Sequence, residues 1–205
     1  MKIITVCPES FGANCYLLIS NGRALVVDPA PSSGAIQNAA LAENAVIDGI
    51  ILTHGHFDHI VSVDTLRRAL CVPLYIHKDD AVMLTDGKKN AFYDFYGMER
   101  KYSPADVLLD DGDTLKCGDE EIKVIHTPGH SMGSVCYLFS DGMITGDTLF
   151  SDSIGRCDLW GGSDTLIAAS LEKLRGYPPK TKIYPGHGPS AILGGALDNA
   201  SYFLW

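Results

Sequence analysis

The stretch Thr53-His54-Gly55-His56-Phe57-Asp58-His59 decides how this chain is read. It places three imidazoles and one carboxylate within six residues, directly after the apolar run Val46-Ile47-Asp48-Gly49-Ile50-Ile51-Leu52. Imidazole suits zinc and iron, and carboxylate oxygen helps to hold a second, harder metal centre. Four such ligands cannot converge on one ion without severe backbone strain, whereas two adjacent ions can share them. His54 and His56 stand at a strand end on alternate positions, so they project to the same side. Asp58 and His59 follow at the turn and can face a neighbouring ion.

Further ligand-type residues arrive in three later pieces: His126-Thr127-Pro128-Gly129-His130-Ser131, then Thr145-Gly146-Asp147-Thr148, then Tyr184-Pro185-Gly186-His187-Gly188-Pro189. Each follows an apolar strand pattern, turns at Gly or Pro, and carries a ligand-type side chain. Alone, His130, Asp147 or His187 would more often be a surface or core residue. Their repeated placement at strand ends, where loops carry chemistry on a rigid scaffold, reverses that expectation. His77 precedes a helix pattern and reads as a cap or a surface group. His126 reads as a structural hydrogen-bonding residue.

The ordered set resembles the metallo-β-lactamase-fold hydrolases, and within them the short glyoxalase II-like (hydroxyacylglutathione hydrolase-like) branch. Supporting residues are Val26-Val27-Asp28-Pro29, the run at 53–59, His126 to His130, Gly146-Asp147-Thr148-Leu149-Phe150, Gly155-Arg156 and Tyr184 to Pro189. The match runs collinearly over about residues 1–190. The resemblance implies an α/β (α+β) four-layer αββα sandwich with a dinuclear metal site along one sheet edge. It also implies that His54, His56 and His130 hold one ion, that Asp58, His59 and His187 hold the other, and that Asp147 bridges them. Asp28 then orients ligands from behind, and Arg156 and Tyr184 support the ligands or line the substrate wall.

Such a centre keeps an open position on each ion for a shared water. Two ions about 3.5–4 Å apart lower the pKa of that water toward ~7, so the bridging hydroxide can act as nucleophile. One ion also polarises the substrate carbonyl. No Ser or Cys nucleophile is needed, and Asp58 and Asp147 are the candidate catalytic carboxylates. A thioester such as S-lactoylglutathione fits this chemistry, because a thiolate leaves without a strong general acid. The expected cofactor is two divalent ions per chain, zinc first, with iron or manganese tolerated by the same donors.

Composition narrows the remaining classes. The 205 residues suit one domain over 1–205, and a hydrophobic fraction of 46% supplies a sizeable core. No apolar run approaches the roughly 18 residues of a membrane span. The N-terminus lacks a secretory pattern, and six scattered cysteines read as free thiols in a reducing compartment, so a cytoplasmic location is expected. A net charge of −9 argues against a nucleic-acid surface. The expected partner is a small-molecule thioester or ester, with the chain a monomer or homodimer.

Strand patterns occur at 2–6, 15–19, 24–28, 47–53, 74–77, 113–117, 121–126, 135–139, 143–145 and 182–184. Asn21-Gly22, Asp111-Gly112, Cys117-Gly118 and Asp141-Gly142 suit hairpin turns between several of them. Helix patterns occur at 33–44, 62–70, 79–84, 163–176 and 190–204, with Ser163 as an N-cap. The aromatic stretch 87–97 reads as a lid or wall, with Lys88 or Lys89 meeting an anionic substrate, or else as an ordinary packed loop. Cys157 reads as a partly buried, inert thiol.

Two other activities are compatible with the motifs. A mononuclear-iron persulfide dioxygenase would use only His54, His130 and Asp147, and shares a segment like Gly155-Arg156-Cys157-Asp158. A hydrolase of another ester or lactone is the second. The C-terminal helical region with which long glyoxalase II enzymes recognise glutathione has no counterpart up to Trp205. An electron-transfer role beside a flavin domain finds no flavin-binding segment here.

Overall fold

The structure, a computed structural model, describes residues 1–6 and 12–203. Cys7 and the last residue of the helix pattern at 190–204 lie outside them. The first sheet holds β1 (Lys2–Val6), β2 (Cys15–Ser20), β3 (Arg23–Val27), β4 (Val46–Ile51), β5 (Leu74–His77) and β6 (Val107–Leu109), in that spatial order. The second holds β7 (Thr114–Cys117), β8 (Glu120–His126), β9 (Val135–Phe139), β10 (Gly142–Gly146), β11 (Lys182–Pro185) and β12 (Ala191–Ile192), also in order from one edge to the other. The first sheet begins antiparallel and is parallel from β3–β4 onward; the second is antiparallel except for the parallel pair β10–β11. Helices α1 (Ser33–Ala42), α2 (Val63–Leu70), α3 (Ala81–Thr85), α4 (Phe92–Tyr96), α5 (Asp164–Arg175) and α6 (Leu193–Ala200) complete the chain, with 3-10 turns at Lys78–Asp80 and Ser201–Phe203.

Three apolar clusters define the layers. Ile36 and Ala40 of α1 and Val63 and Leu66 of α2 pack on one face of the first sheet. Leu18, Leu25, Ile51, Val124, Tyr137 and Ile144 fill the space between the sheets. Leu171 and Leu174 of α5 and Leu193 and Leu197 of α6 cover the outer face of the second sheet. The order is therefore helix, sheet, sheet, helix. Strand β2 shows how its sequence dictates this. Cys15, Leu17 and Ile19 face the helices while Tyr16 and Leu18 face the other sheet, so both faces of the strand are apolar. Each fully buried Leu of this kind contributes about 1.5–3 kcal/mol.

Turn chemistry explains most of the strand order. Asn21 and Gly22 have φ of 46° and 71°, the left-handed pair that a tight hairpin between β2 and β3 requires. Asp111-Gly112 is not a hairpin. It joins β6 of the first sheet to β7 of the second, and so carries the chain between layers. Ser32 and Ser163 cap α1 and α5, accepting from the N–H groups of Ala35 and Leu166 at 3.3 Å each.

Several elements depart from the sequence patterns. Strand β6 is an exposed edge with no apolar alternation; Leu108 is 57% exposed. The pattern at 190–204 starts with β12, because Ala191 and Ile192 pair with β11 before α6 begins at Leu193. That at 79–84 divides into the 3-10 turn and α3, and α4 forms inside the aromatic stretch. Among the described residues, no helix is long and apolar enough to cross a membrane.

Candidate metal centre

The loops leaving the C-terminal ends of β4, β8, β10 and β11 meet at one edge of the sandwich. Asp28, just past β3, sets the first of them. It adopts a φ of 49°, a left-handed conformation that Asp tolerates better than most residues. Its Oδ1 accepts the Thr53 N–H at 2.8 Å, and its Oδ2 accepts the Thr53 hydroxyl at 2.6 Å. The single hydroxyl hydrogen is thereby committed, so Thr53 Oγ1 accepts the Nδ1–H of His54 at 3.0 Å. Asp28 Oδ2 also accepts the Nδ1–H of His59 at 2.9 Å.

The same logic fixes the other rings. His130 Nδ1 donates to the Arg156 carbonyl at 2.8 Å, and His187 Nδ1 donates to the Gly12 carbonyl at 2.8 Å. With Nδ1 committed in this way, His54, His59, His130 and His187 all turn their Nε2 atoms inward. A carboxylate or carbonyl that orients an imidazole in this way raises its basicity as a ligand.

The inward atoms form two groups. His130 Nε2 lies 2.8 Å from His56 Nδ1 and 3.2 Å from His54 Nε2. His187 Nε2 lies 3.3 Å from His59 Nε2 and 3.3 Å from Asp58 Oδ2. Asp147 stands between the groups. Its Oδ2 is 3.6 Å from His130 Nε2 and 3.4 Å from His187 Nε2, while Oδ1 is 3.4 Å from His59 Nε2. Tetrahedral zinc with bonds of about 2.0–2.1 Å sets neighbouring donor atoms roughly 3.3–3.4 Å apart. Most of these separations match that edge length. Lone pairs facing each other at such distances repel unless a cation lies between them, and Asp147 Oδ1 is buried with no hydrogen-bond donor. The donor set therefore fits two divalent ions, and Asp147 is placed where a bridging carboxylate would stand.

Small residues make this approach possible. Gly146 has a φ of +48°, and a Cβ on Gly186 would sit 2.0 Å from Asp147 Oδ1. Behind the loops, Asp80 ties two ligand segments together. It accepts from the Gly55 N–H at 3.1 Å, the Gly133 N–H at 2.6 Å and the Ser131 hydroxyl at 2.6 Å. Asp80 falls within the helix pattern at 79–84, and nothing local in the sequence signals a buried carboxylate there. Ser131 and Ser134 bond to each other at 2.6 Å and brace the turn.

The electrostatics divide along the same line. Burial first, then the surrounding imidazoles of His59, His130 and His56, hold His54 well below the usual imidazole range. Burial and His130 bring His56 down to about 3. Burial also opposes a charge on His59, yet Asp147, Asp58 and Asp28 together lift it well above its ordinary value. His187 rises to about 9, with burial again overcome by Asp147 and Asp58. Burial works against ionisation of Asp147, but His59 and His187 hold it well below the usual carboxylate range. His54 and His56 are thus neutral at neutral pH, whereas His59 and His187 hold protons among the carboxylates.

Away from this centre, His77, Asp79 and His126 also bring their donor atoms within 4.8 Å of one another. The His77 and His126 rings stack at 4.1 Å with only 12° between planes. Their in-plane lone pairs run side by side and do not converge on one ion. His77 is buried, not a surface group, and its Nδ1 caps the following turn by accepting from the Asp79 N–H at 3.3 Å. His126 Nε2 donates to the Met132 carbonyl at 2.9 Å, the structural role expected of it.

A cavity of about 570 Å³ opens onto the two groups, within the range of small-molecule sites. Arg156 lines it as well as supporting His130. Tyr184 does not: its ring packs between the sheets, 5.8 Å from Tyr16 and 6.2 Å from Phe139. Tyr184 sits on β11 before its end, so strand alternation turns it into the core. Lys88 and Lys89 do not line the cavity either; they lie over the Tyr93 and Trp160 rings at 5.4 and 4.8 Å. Burial pushes the Cys157 thiol up to about 11, which suits an inert side chain.

Comparison with known proteins agrees with this architecture. The family model for the metallo-beta-lactamase superfamily matches residues 9–187. The "Probable metallo-hydrolase YqgX" of Bacillus subtilis (strain 168) is 38% identical over 180 residues, 86% of this chain and 85% of that protein. The crystal structure of the BLEG-1 B3 metallo-beta-lactamase superposes with a TM-score of 0.92 at 34% identity, covering 98% of this chain and 99% of that one. That of TTHA1623 in a di-iron-bound form has a TM-score of 0.84 at 30% identity, covering 98% and 100%. The chain belongs to the metallo-beta-lactamase superfamily.

Proposed function

We propose that this protein is a metal-dependent hydrolase of thioesters. In this reading His54, His56 and His130 hold one divalent ion, Asp58, His59 and His187 hold a second, and Asp147 joins them. The observation that carries the reading is the position of Asp147 Oδ2, 3.6 Å from His130 Nε2 and 3.4 Å from His187 Nε2. When bound, such a pair supplies an ionised water at neutral pH and an electrophile for the substrate carbonyl. Zinc is the favoured occupant; the di-iron form of the neighbour TTHA1623 keeps iron as the alternative.

The chain's own residues do the rest. Asp28, Thr53 and the carbonyls of Gly12 and Arg156 lock the imidazoles so that no reorganisation is needed during turnover. Asp58, at the cavity wall, can accept a hydrogen bond from the attacking water and so orient it. Hydrolysis adds water across the acyl C–S bond; the acyl carbon gains oxygen, the sulfur leaves with the bonding pair, and a carboxylate, a thiol and one proton result. Outside the two groups, the described lining side chains offer only the Tyr96 phenol and the Arg156 guanidinium as donors. Neither type is a strong acid. A leaving group that departs as an anion without protonation, as a thiolate does, is therefore favoured over an amine or alkoxide.

Elemental analysis of purified protein, paired with turnover of S-lactoylglutathione and other thioesters, tests the proposal. Thioester turnover that disappears with the metal in His56→Ala and Asp147→Ala is expected. A protein with two ions and no thioester turnover would overturn it. A second reading, β-lactam hydrolysis, is favoured by the likeness to BLEG-1; efficient nitrocefin cleavage by the same preparation would support it instead.

A further inference from the structure

The walls of the cavity differ in chemistry from its floor. Phe57, between His56 and Asp58, meets the aromatic face of α4: its ring lies 5.3 Å from Phe95 and 5.6 Å from Tyr96. Phe95 and Tyr96 line the cavity, yet remain 55% and 44% exposed. Phe150, edge-on to His187 at 5.9 Å, and Leu159 line the same cavity. Exposed aromatic surface next to buried polar groups marks a site that awaits an apolar partner.

The cations are spoken for. Among the described residues, Arg156 is the one Lys or Arg that lines the cavity. Its guanidinium makes a two-point pair with Asp158 at 2.6 and 2.7 Å and faces Phe95 at 6.0 Å. Lys89, held over Trp160, is 3.9 Å from Asp86. A substrate arm with several carboxylates, as in a glutathione conjugate, would meet little free positive charge there, under a net charge of −9. An uncharged hydrocarbon arm would remove this aromatic and aliphatic lining from water.

We propose that Phe57, Phe95, Tyr96, Phe150 and Leu159 form an acyl-binding wall that selects thioesters of apolar, uncharged acyl groups over glutathione-type anionic conjugates. The reaction in this statement rests on the hydrolase reading; the recognition does not.

Two measurements separate them. Metal-loaded protein is titrated calorimetrically with alkyl hydroxamates from aceto- to octanohydroxamate, which bind metal whatever the enzyme's substrate. Affinity should rise at least tenfold along the series, and a Phe95→Ala/Leu159→Ala double variant of unchanged metal content should flatten that rise. In parallel, kcat/KM is measured for N-acetylcysteamine thioesters from acetyl to octanoyl and for S-lactoylglutathione. The longer acyl groups should exceed both acetyl and S-lactoylglutathione by at least tenfold. A flat hydroxamate series, a gradient unaltered in the double variant, or S-lactoylglutathione as the best substrate would overturn the acyl wall. Absence of turnover on every thioester would instead sink the hydrolase reading, and the hydroxamate gradient alone would then decide the wall.

Discussion

Asp28 Oδ2 accepts the Nδ1–H of His59 at 2.9 Å while the same carboxylate takes both the N–H and the hydroxyl of Thr53. One buried side chain thus orients the first two links of the ligand run and reaches its last member. Replacing it with Ala should weaken metal binding about 10–100-fold, the usual cost of losing such a partner. Competition against a chromogenic chelator measures this. Wild-type affinity in Asp28→Ala would show that His59 is oriented by other means.

Asp80 works through backbone. In Asp80→Ala the buried N–H groups of Gly55 and Gly133 lose their acceptor, while Ser131 keeps Ser134. Orphaned donors of this kind cost about 1–3 kcal/mol each. The midpoint of thermal unfolding should fall by roughly 5–15 °C, and metal affinity should fall with it. Asp80→Asn, which retains one acceptor oxygen, should lose less. Calorimetry of the metal-free proteins gives the ranking, and equal midpoints for wild type and Asp80→Ala would refute it.

A methyl group at Gly186 cannot coexist with the observed Asp147, since its Cβ would lie 2.0 Å from Oδ1 and 2.7 Å from His59 Cε1. Gly186→Ala should keep the fold but displace Asp147, lowering activity by about a hundredfold or more, as expected of an ångström-scale misplacement. Circular dichroism and turnover measured side by side distinguish this from simple unfolding.

Protons and metal compete for one side of the centre. Without metal, His187 titrates at about 9 and His59 is raised as well. These protons must leave when an ion enters, so zinc uptake at pH 7.5 should release protons, and affinity should fall as pH drops from about 9 toward 7. For the metal-free fold the sign is opposite. The raised His187 value stabilises it fully below the ordinary 6.5, and that contribution is lost as pH rises through about 9. Zinc titrations in buffers of different ionisation enthalpy count the protons; none released would contradict the assignment.

Much of this centre was legible in the chain because ligand-type residues sit on strand ends that apolar alternation marks clearly. His54, His56, Asp58, His59, His130, Asp147 and His187 all converge, although they span more than half the chain. What escaped depends on tertiary pairing. Ala191 and Ile192 become a strand only because β11 offers an edge. Asp80 is buried only because two distant loops donate to it. Tyr184 lay near His187 in sequence, but strand geometry turned it between the sheets. Lys88 and Lys89 have the charge for an anionic substrate, but aromatic rings hold them outside the cavity.

In the proposed reading Asp147 joins two metal-binding groups into one catalytic unit. The decisive measurement is metal content per chain, by elemental analysis on wild type and Asp147→Ala after equilibration with excess zinc and removal of loosely bound ions. Close to two ions are expected in the wild type, with loss of both tight binding and hydrolysis in the variant. A single ion in fully active wild type, or two ions and full activity without Asp147, would contradict it.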